Sequence, residues 1–210
     1  EDNNVVTFRL EDSEIIARVF VLEHDLVRVL MTKGNKLEVK KTWLVAPGME
    51  DVPYEGRDRL DLSPFSLPTY LVQQDEDYFS IETKKLKLRI NLDGFKITWF
   101  AKDNKGKLHK IAKDRNTQAY NFDGSLGEGI FHYMERTKKE QYYGLGEKSG
   151  DMDRYGKRYR MLSVDPMGYD AQYTDPLYKH IPYYITRNTD TGISFGIFYD
   201  NMAQSIFDMG

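Results

Sequence analysis

The sequence has no cysteine among its 210 residues. This absence excludes disulfide bonds, thiol nucleophiles and thiolate metal sites, and it is compatible with a reducing compartment. No apolar run is long enough to cross a bilayer, and the first ten residues show neither the basic nor the apolar segment of a signal peptide. We therefore expect a cytoplasmic protein without a membrane partner.

A strong excess of charge of either sign is also missing. Thirty Lys and Arg residues face 33 Asp and Glu residues, for a formal net charge of −3. This balance disfavours binding to a phosphate backbone or an anionic membrane, so we expect no nucleic-acid partner. Hydrophobic residues make up 40% and aromatic residues 13% of the chain, which indicates a globular protein. The length predicts a single domain spanning residues 1–210.

The sequence shows no helical stripe of useful length. Instead, short runs of alternating or apolar residues are separated by turn residues, as in residues 15–22, 26–31 and 95–100, and Asp93-Gly94 is a strong hairpin signal. We expect residues 116–129 to be irregular, a strand at 129–136, and loops at 47–68 and 142–182, which hold all seven prolines. The pattern predicts an all-β fold, an antiparallel two-sheet β-sandwich.

Residues 142–182 dominate the search for a site because a loop of this length is usually functional. Gly144 and Gly146 could begin a dinucleotide fingerprint, but Ser149 stands where its third glycine belongs. A tight turn with positive φ explains the two glycines better.

A metal site in this stretch is not supported. Asp151, Asp153 and Gly156 match three positions of a calcium loop, but Tyr155 and Leu162 occupy two of its ligand positions. The four histidines are dispersed, without the spacing of a zinc site. We predict no metal and no cofactor.

Three carboxylates of the same stretch, Asp165, Asp170 and Asp175, leave several hypotheses open. Two of them could form an acid/base pair for glycoside hydrolysis. They could instead cap turns, since Asp165 and Asp175 each precede a proline. A single carboxylate could also bind a ligand beside tyrosine rings, although most tyrosines of this stretch are expected to pack at the edge of the sandwich.

Four motifs carry a resemblance to a known family: YYGLGEK at 142–148, VDPMGYD at 164–170, TDPLYKHIP at 174–182 and GISFGIFYDN at 192–201. They resemble the N-terminal domain of family 31 glycoside hydrolases, the α-glucosidase group. The resemblance implies a galactose-mutarotase-like β-sandwich that precedes a (β/α)8 barrel, and the barrel supplies both catalytic aspartates for retaining hydrolysis of α-glucosidic bonds. No βαβ alternation is present here. We therefore expect an N-terminal fragment that has no catalytic residue and is inactive alone.

The resemblance also implies a role for this domain, which is to brace the barrel and lend it a substrate-binding loop. Asp165 matches the aspartate that contributes to binding of an α-glucoside or oligosaccharide substrate, and Tyr169 is a second candidate for that pocket. Where the family commonly has Asn-Thr before this aspartate, the chain has Ser163-Val164. The alternative function is a stand-alone carbohydrate-binding or aldose-mutarotase-like module, in which His132 or His180 would act with a carboxylate.

Overall fold

A computed structural model describes residues 4–11, 13–48, 50–122 and 129–210, and within these ranges the chain is all-β. The strands, in chain order, are β1 (Val5–Arg9), β2 (Ile15–Glu23), β3 (Leu26–Lys33), β4 (Lys41–Thr42), β5 (Arg57–Asp58), β6 (Leu71–Gln74), β7 (Tyr78–Glu82), β8 (Leu86–Asn91), β9 (Lys96–Lys102), β10 (Leu108–Lys113), β11 (Tyr120–Phe122), β12 (Ile130–His132), β13 (Glu140–Gly146), β14 (Arg158–Met161), β15 (His180–Asn188), β16 (Ser194–Phe198) and β17 (Ser205–Asp208). The predicted all-β class is confirmed.

The chain divides into two compact units, Glu1–Glu135 and Arg136–Gly210. In the first unit, β1, β2 and β3 form one antiparallel sheet, and β6 to β10 form a second in the order β10-β9-β8-β7-β6. Alternate residues of β2 pack with residues of β7, β8 and β9 in one core, so the two sheets lie face to face as in a sandwich. The buried members of this core are Ala17, Val19, Val21, Ile81, Leu88, Ile90, Phe95 and Ile97.

Short strand pairs in the first unit correct two expectations. The 47–68 segment is not wholly loop, because it contains β5, which pairs with β4. The segment 116–129 is not wholly irregular, because β11 pairs with β12, and Tyr120 stacks on His132 with 4.5 Å between ring centroids. The strand expected at 129–136 covers only β12, followed by a bridge at Met134. Residues 123–128 of the irregular segment lie outside the described residues.

The second unit contains a three-stranded sheet, β13-β15-β16, and the pair β14-β17. Its core is rich in tyrosine and methionine. Two of its tyrosines, Tyr142 and Tyr159, belong to the 142–182 stretch and pack in this core, and not at a sandwich edge as expected. The buried members are Tyr142, Leu145, Tyr159, Met161, Tyr184 and Met209. Residues 142–182 are therefore not one long loop: β13, β14 and the start of β15 occupy part of this stretch. The irregular segments that remain are residues 147–157 and 162–179.

Pro182 lies within β15 rather than in a loop. It is tolerated there because the register of β13 and β15 shifts between Gly144↔Tyr184 and Gly146↔His180, so the proline faces a bulge. Its carbonyl accepts a hydrogen bond from Tyr199 N at 2.8 Å, on the side of β16. A residue without an N–H group therefore fits this central strand.

Candidate functional site

The bulge at the end of β13 explains the two glycines of the YYGLGEK motif. Gly144, Leu145 and Gly146 all have positive φ, at 123°, 70° and 79°. A Cβ atom on Gly146 would lie 2.8 Å from both Ile181 N and Lys179 O, and one on Gly144 would lie 2.6 Å from Tyr183 O. Both positions need glycine because the backbone of β15 approaches too closely for a side chain. This supports positive φ as the reason for the glycines, although the feature is a bulge and not a turn.

After the bulge, Arg154 organises the segment between β13 and β14. Its guanidinium is buried and donates to the carbonyls of Asp151 at 2.6 Å and Ser149 at 3.4 Å. The carboxylate of Asp153 accepts hydrogen bonds from Tyr142 N at 3.0 Å and Tyr155 N at 3.1 Å. These groups are therefore occupied in holding the backbone.

Lys148 connects this segment to the 162–179 loop. Its side chain is 1% exposed, and Nζ lies 3.1 Å from Asp175 Oδ1 and 2.7 Å from Arg160 O. The other carboxylate oxygen of Asp175 accepts a hydrogen bond from Arg160 N at 2.6 Å. Asp175 therefore does not cap a turn at its own proline, as one expectation held, but fixes the loop to β14. The peptide bond between Asp175 and Pro176 is cis.

Asp170 caps a turn within the same loop. Its Oδ1 accepts hydrogen bonds from Gln172 N at 2.7 Å and Tyr173 N at 3.1 Å, and its backbone N donates to Thr174 Oγ1 at 2.8 Å. This is an Asx turn, so the turn-capping hypothesis is correct for Asp170. With Asp170 and Asp175 engaged in structure, the carboxylates of the loop give no support to an acid/base pair.

Asp165 differs from both of these residues. Its side chain is exposed, and it makes no hydrogen bond or ion pair with any residue in the described part of the chain. Tyr169 is 50% exposed, and its ring meets that of Tyr178 edge to face, with centroids 5.9 Å apart. The structure thus places both predicted site residues on the exposed part of the loop, and it pairs Tyr169 with Tyr178 and not with Asp165.

His180 lies at the other end of this loop. Its Nδ1 is 3.1 Å from the hydroxyl of Ser163, which comes two residues before Asp165. Burial, with a smaller contribution from the nearby charge of Lys148, lowers the pKa of His180 below its ordinary value of 6.5. The neutral imidazole is therefore favoured, and Ser163, where the chain departs from the common Asn-Thr form, has a defined hydrogen-bond partner.

His132, the other histidine of the mutarotase alternative, does have a carboxylate partner. Its Nε2 lies 3.0 Å from Asp114 Oδ1 in the first unit. Asp114 is completely buried, and its Oδ2 accepts a hydrogen bond from Ile97 N at 2.9 Å. The carboxylate therefore binds the backbone of β9, and it is not accessible to a ligand from solvent.

Among the described residues, no three His, Asp or Glu side chains are grouped so that they could hold a metal ion. The described ranges also contain no helix long and apolar enough to cross a membrane.

The motifs around this bulge and loop belong to a sequence pattern that extends over most of the chain. The pattern of the glycosyl hydrolase 31 N-terminal galactose mutarotase-like domain matches residues 16–208. The chain belongs to this family. Because the match covers both compact units, the resemblance first seen in the last third of the chain holds for nearly all of it.

Two curated relatives are α-glucosidases. Alpha-glucosidase 2 of Bacillus thermoamyloliquefaciens is 30% identical over 138 residues, which cover 65% of this chain and 16% of the relative. The alpha-glucosidase of Saccharolobus solfataricus is 43% identical over 72 residues, which cover 34% of this chain and 10% of that protein. The matched part is thus a small fraction of each relative's length.

Solved structures show the same fold. A GH31 dextranase of Flavobacterium johnsoniae, complexed with isomaltotriose, aligns over 99% of this chain and 22% of its own, with a TM-score of 0.73 and 26% identity. A GH31 α-xylosidase of Xanthomonas citri aligns over 97% of this chain and 19% of its own, with a TM-score of 0.65 and 15% identity. The latter likeness concerns the fold alone. The galactose-mutarotase-like β-sandwich is confirmed, as part of a GH31 N-terminal domain.

Sequence reasoning missed the residues that hold the site together. No motif in the sequence assigns a structural role to Lys148 or Arg154. Both side chains are buried, and the contacts of Lys148 with Arg160 and Asp175 join parts of the chain that come close only after folding. The alternation of Arg158, Tyr159, Arg160 and Met161 is the one local signal of β14, but four residues are too few for it to stand out among the surrounding turn residues.

Proposed function

We propose that this chain is the accessory N-terminal domain of an α-glucosidase-like enzyme. The complete enzyme would hydrolyse α-glucosidic bonds with retention of configuration in a catalytic barrel, which this domain braces. The family and the α-glucosidase relatives support the reaction class. The small share of those relatives that the chain covers is consistent with catalytic residues elsewhere in such an enzyme.

The observation that carries the proposal is the contrast among the three aspartates of the 162–179 loop. Asp170 and Asp175 bind backbone amides of their own unit, whereas Asp165 has no such partner within the described residues. Carboxylate oxygens accept strong hydrogen bonds from sugar hydroxyls. Asp165 would bind the hydroxyls of an α-glucoside in this way, at the mouth of the barrel.

Tyr169 would contribute to the same pocket through its exposed ring. An aromatic ring covers the C–H face of a sugar, while its hydroxyl remains available for hydrogen bonding. The contact with Tyr178 limits the positions that the ring can take. Fixation of the loop by Lys148 and Asp175 reduces the entropy that the loop would lose on binding substrate.

The alternative, a stand-alone sugar-binding or mutarotase-like module, has less support. A mutarotase needs an accessible acid and base, but the carboxylate partner of His132 is buried. His180 has Ser163 as its hydrogen-bond partner. The alternative function then rests only on the galactose-mutarotase-like fold, and a fold does not fix a function.

Comparison of the full-length protein with the 210-residue chain tests the proposal. We expect the full-length protein to hydrolyse p-nitrophenyl α-glucoside, and the chain to show no turnover while its circular dichroism spectrum remains that of a folded β protein. Polarimetry of fresh α-glucose tests the alternative in the same samples. Hydrolysis by the chain alone, or faster anomer interconversion in its presence, would contradict the accessory role.

A further inference from the structure

Trp43 is an exposed tryptophan held in a fixed orientation. It directly follows β4 in the first unit, and 46% of its surface is exposed. Its indole Nε1 donates a hydrogen bond to the carbonyl of Tyr54 at 3.0 Å. This bond joins the proline-rich segment to the end of β4 and restricts rotation of the ring.

The backbone at Gly56 covers one face of this indole. A Cβ atom built on Gly56 would lie 2.7 Å from Trp43 Cε2, 2.9 Å from Cζ2 and 3.1 Å from Nε1. Cε2 is bonded to both Cζ2 and Nε1. A Cβ atom lying in the plane of the ring would therefore be closer to Cζ2 or Nε1 than to Cε2. The approach is therefore from the ring face. Since Gly56 covers this face, the exposed surface of the indole lies on the opposite face and the ring edges.

Two exposed polar side chains belong to the chain segment whose backbone contacts the indole. The Tyr54 side chain is 94% exposed, and the carbonyl of the same residue holds the indole. Glu55 lies between Tyr54 and Gly56, and its side chain is also exposed. The result is a flat apolar surface with a phenol hydroxyl and a carboxylate on the adjoining chain. Sugar sites combine an aromatic face with a few polar groups in this way.

We propose that Trp43 forms a binding platform for a pyranose ring of an oligosaccharide or polysaccharide chain. The C–H face of the sugar would stack on the exposed face of the indole, and Tyr54 and Glu55 would form hydrogen bonds with its hydroxyls. Because Gly56 and the Tyr54 carbonyl already fix the ring, stacking costs little side-chain entropy. The choice of an α-glucan as the sugar rests on the proposed function.

Affinity electrophoresis of the full-length protein in native gels that contain soluble dextran or soluble starch tests the platform. We expect at least one polysaccharide to retard the protein, and Trp43→Ala to weaken the apparent affinity about tenfold. Trp43→Phe should keep most of the retardation because an aromatic face remains. Hydrolysis of p-nitrophenyl α-glucoside, a substrate with one sugar ring, should be the same in all three proteins.

Two glycine variants separate the platform from general stability. Gly56→Ala would displace the indole, while Gly48→Ala has a similar positive φ, 82° against 76°, with open space around the added carbon. We expect weaker retardation for Gly56→Ala than for Gly48→Ala. Equal retardation of the wild type and Trp43→Ala, or none of the wild type, would overturn the platform. A wild type that binds through Trp43 but hydrolyses no α-glucoside would contradict the proposed function and leave the platform supported.

Discussion

The Nζ atom of Lys148 lies 3.1 Å from Oδ1 of Asp175, across 27 residues of chain, and the lysine side chain is 1% exposed. The same ammonium donates to the Arg160 carbonyl, and the same carboxylate accepts from the Arg160 amide. One ion pair thus joins the segment after β13, the strand β14 and the 162–179 loop. The ion pair therefore holds the base of the 162–179 loop against β14.

Removal of the lysine charge should destabilise the protein strongly. In Lys148→Met, the partly buried Asp175 carboxylate loses its counter-ion, and we expect the free energy of unfolding to fall by about 3 kcal/mol. Urea unfolding followed by circular dichroism measures this loss. Lys139→Met is the control because its ion pair with Asp190 is exposed, and its loss should be below about 1 kcal/mol. Equal losses in the two variants would contradict the role of the buried pair.

The bulge glycines should tolerate no side chain. Gly146→Ala adds a backbone clash to the cost of positive φ, whereas Gly156→Ala has nearly the same φ, 77° against 79°, and no atom within 4 Å of the added carbon. We expect Gly156→Ala to lose about 1 kcal/mol and Gly146→Ala about 1–3 kcal/mol more. Thermal and urea unfolding of both variants provide the comparison. If Gly146→Ala were as stable as Gly156→Ala, the backbone of β15 would not lie as close to Gly146 as the structure shows.

The strands of the first unit were largely predictable from sequence. The apolar run of β2 and the alternation over β7–β9 are clear. The Asp93-Gly94 signal falls between β8 and β9, where Gly94 has a φ of 77°. These strands pair with chain neighbours across short turns, so local pattern and tertiary pairing agree. Their order in the sheet follows directly.

The second unit was less predictable because two of its three strand pairings, β13 with β15 and β14 with β17, are distant in sequence. β14 pairs with β17 about 45 residues later, with Tyr159 opposite Phe207. Each strand has only four residues, too few for alternation to stand out among turn residues. Asp165 and Tyr169 came from the family motif. No local signal distinguishes the free Asp165 from Asp170 or Asp175, whose hydrogen bonds depend on the folded chain.

The environment of His180 should be visible in its titration. We expect NMR of the imidazole to give a pKa below 6.5, because burial and the charge of Lys148 disfavour the protonated ring. The stability due to neutral His180 is then fully present above pH 6.5 and is lost as pH falls toward the lowered pKa. Between pH 6.5 and the lowered pKa, the free energy of unfolding should fall less in His180→Gln than in the wild type. A pKa at or above 6.5 would contradict the burial argument.

The most direct test of the account compares two aspartates of one loop in the full-length enzyme, with kcat/KM for isomaltotriose and p-nitrophenyl α-glucoside as the measurement. Asp165→Asn removes the proposed hydrogen-bonding charge, whereas Asp170→Asn keeps a side-chain oxygen that can accept from Gln172 and Tyr173. We predict that Asp165→Asn lowers kcat/KM about 10- to 100-fold, as expected for loss of a charged hydrogen bond, and that Asp170→Asn stays within about twofold of the wild type. Wild-type kinetics in Asp165→Asn would contradict the assignment of Asp165 to substrate binding.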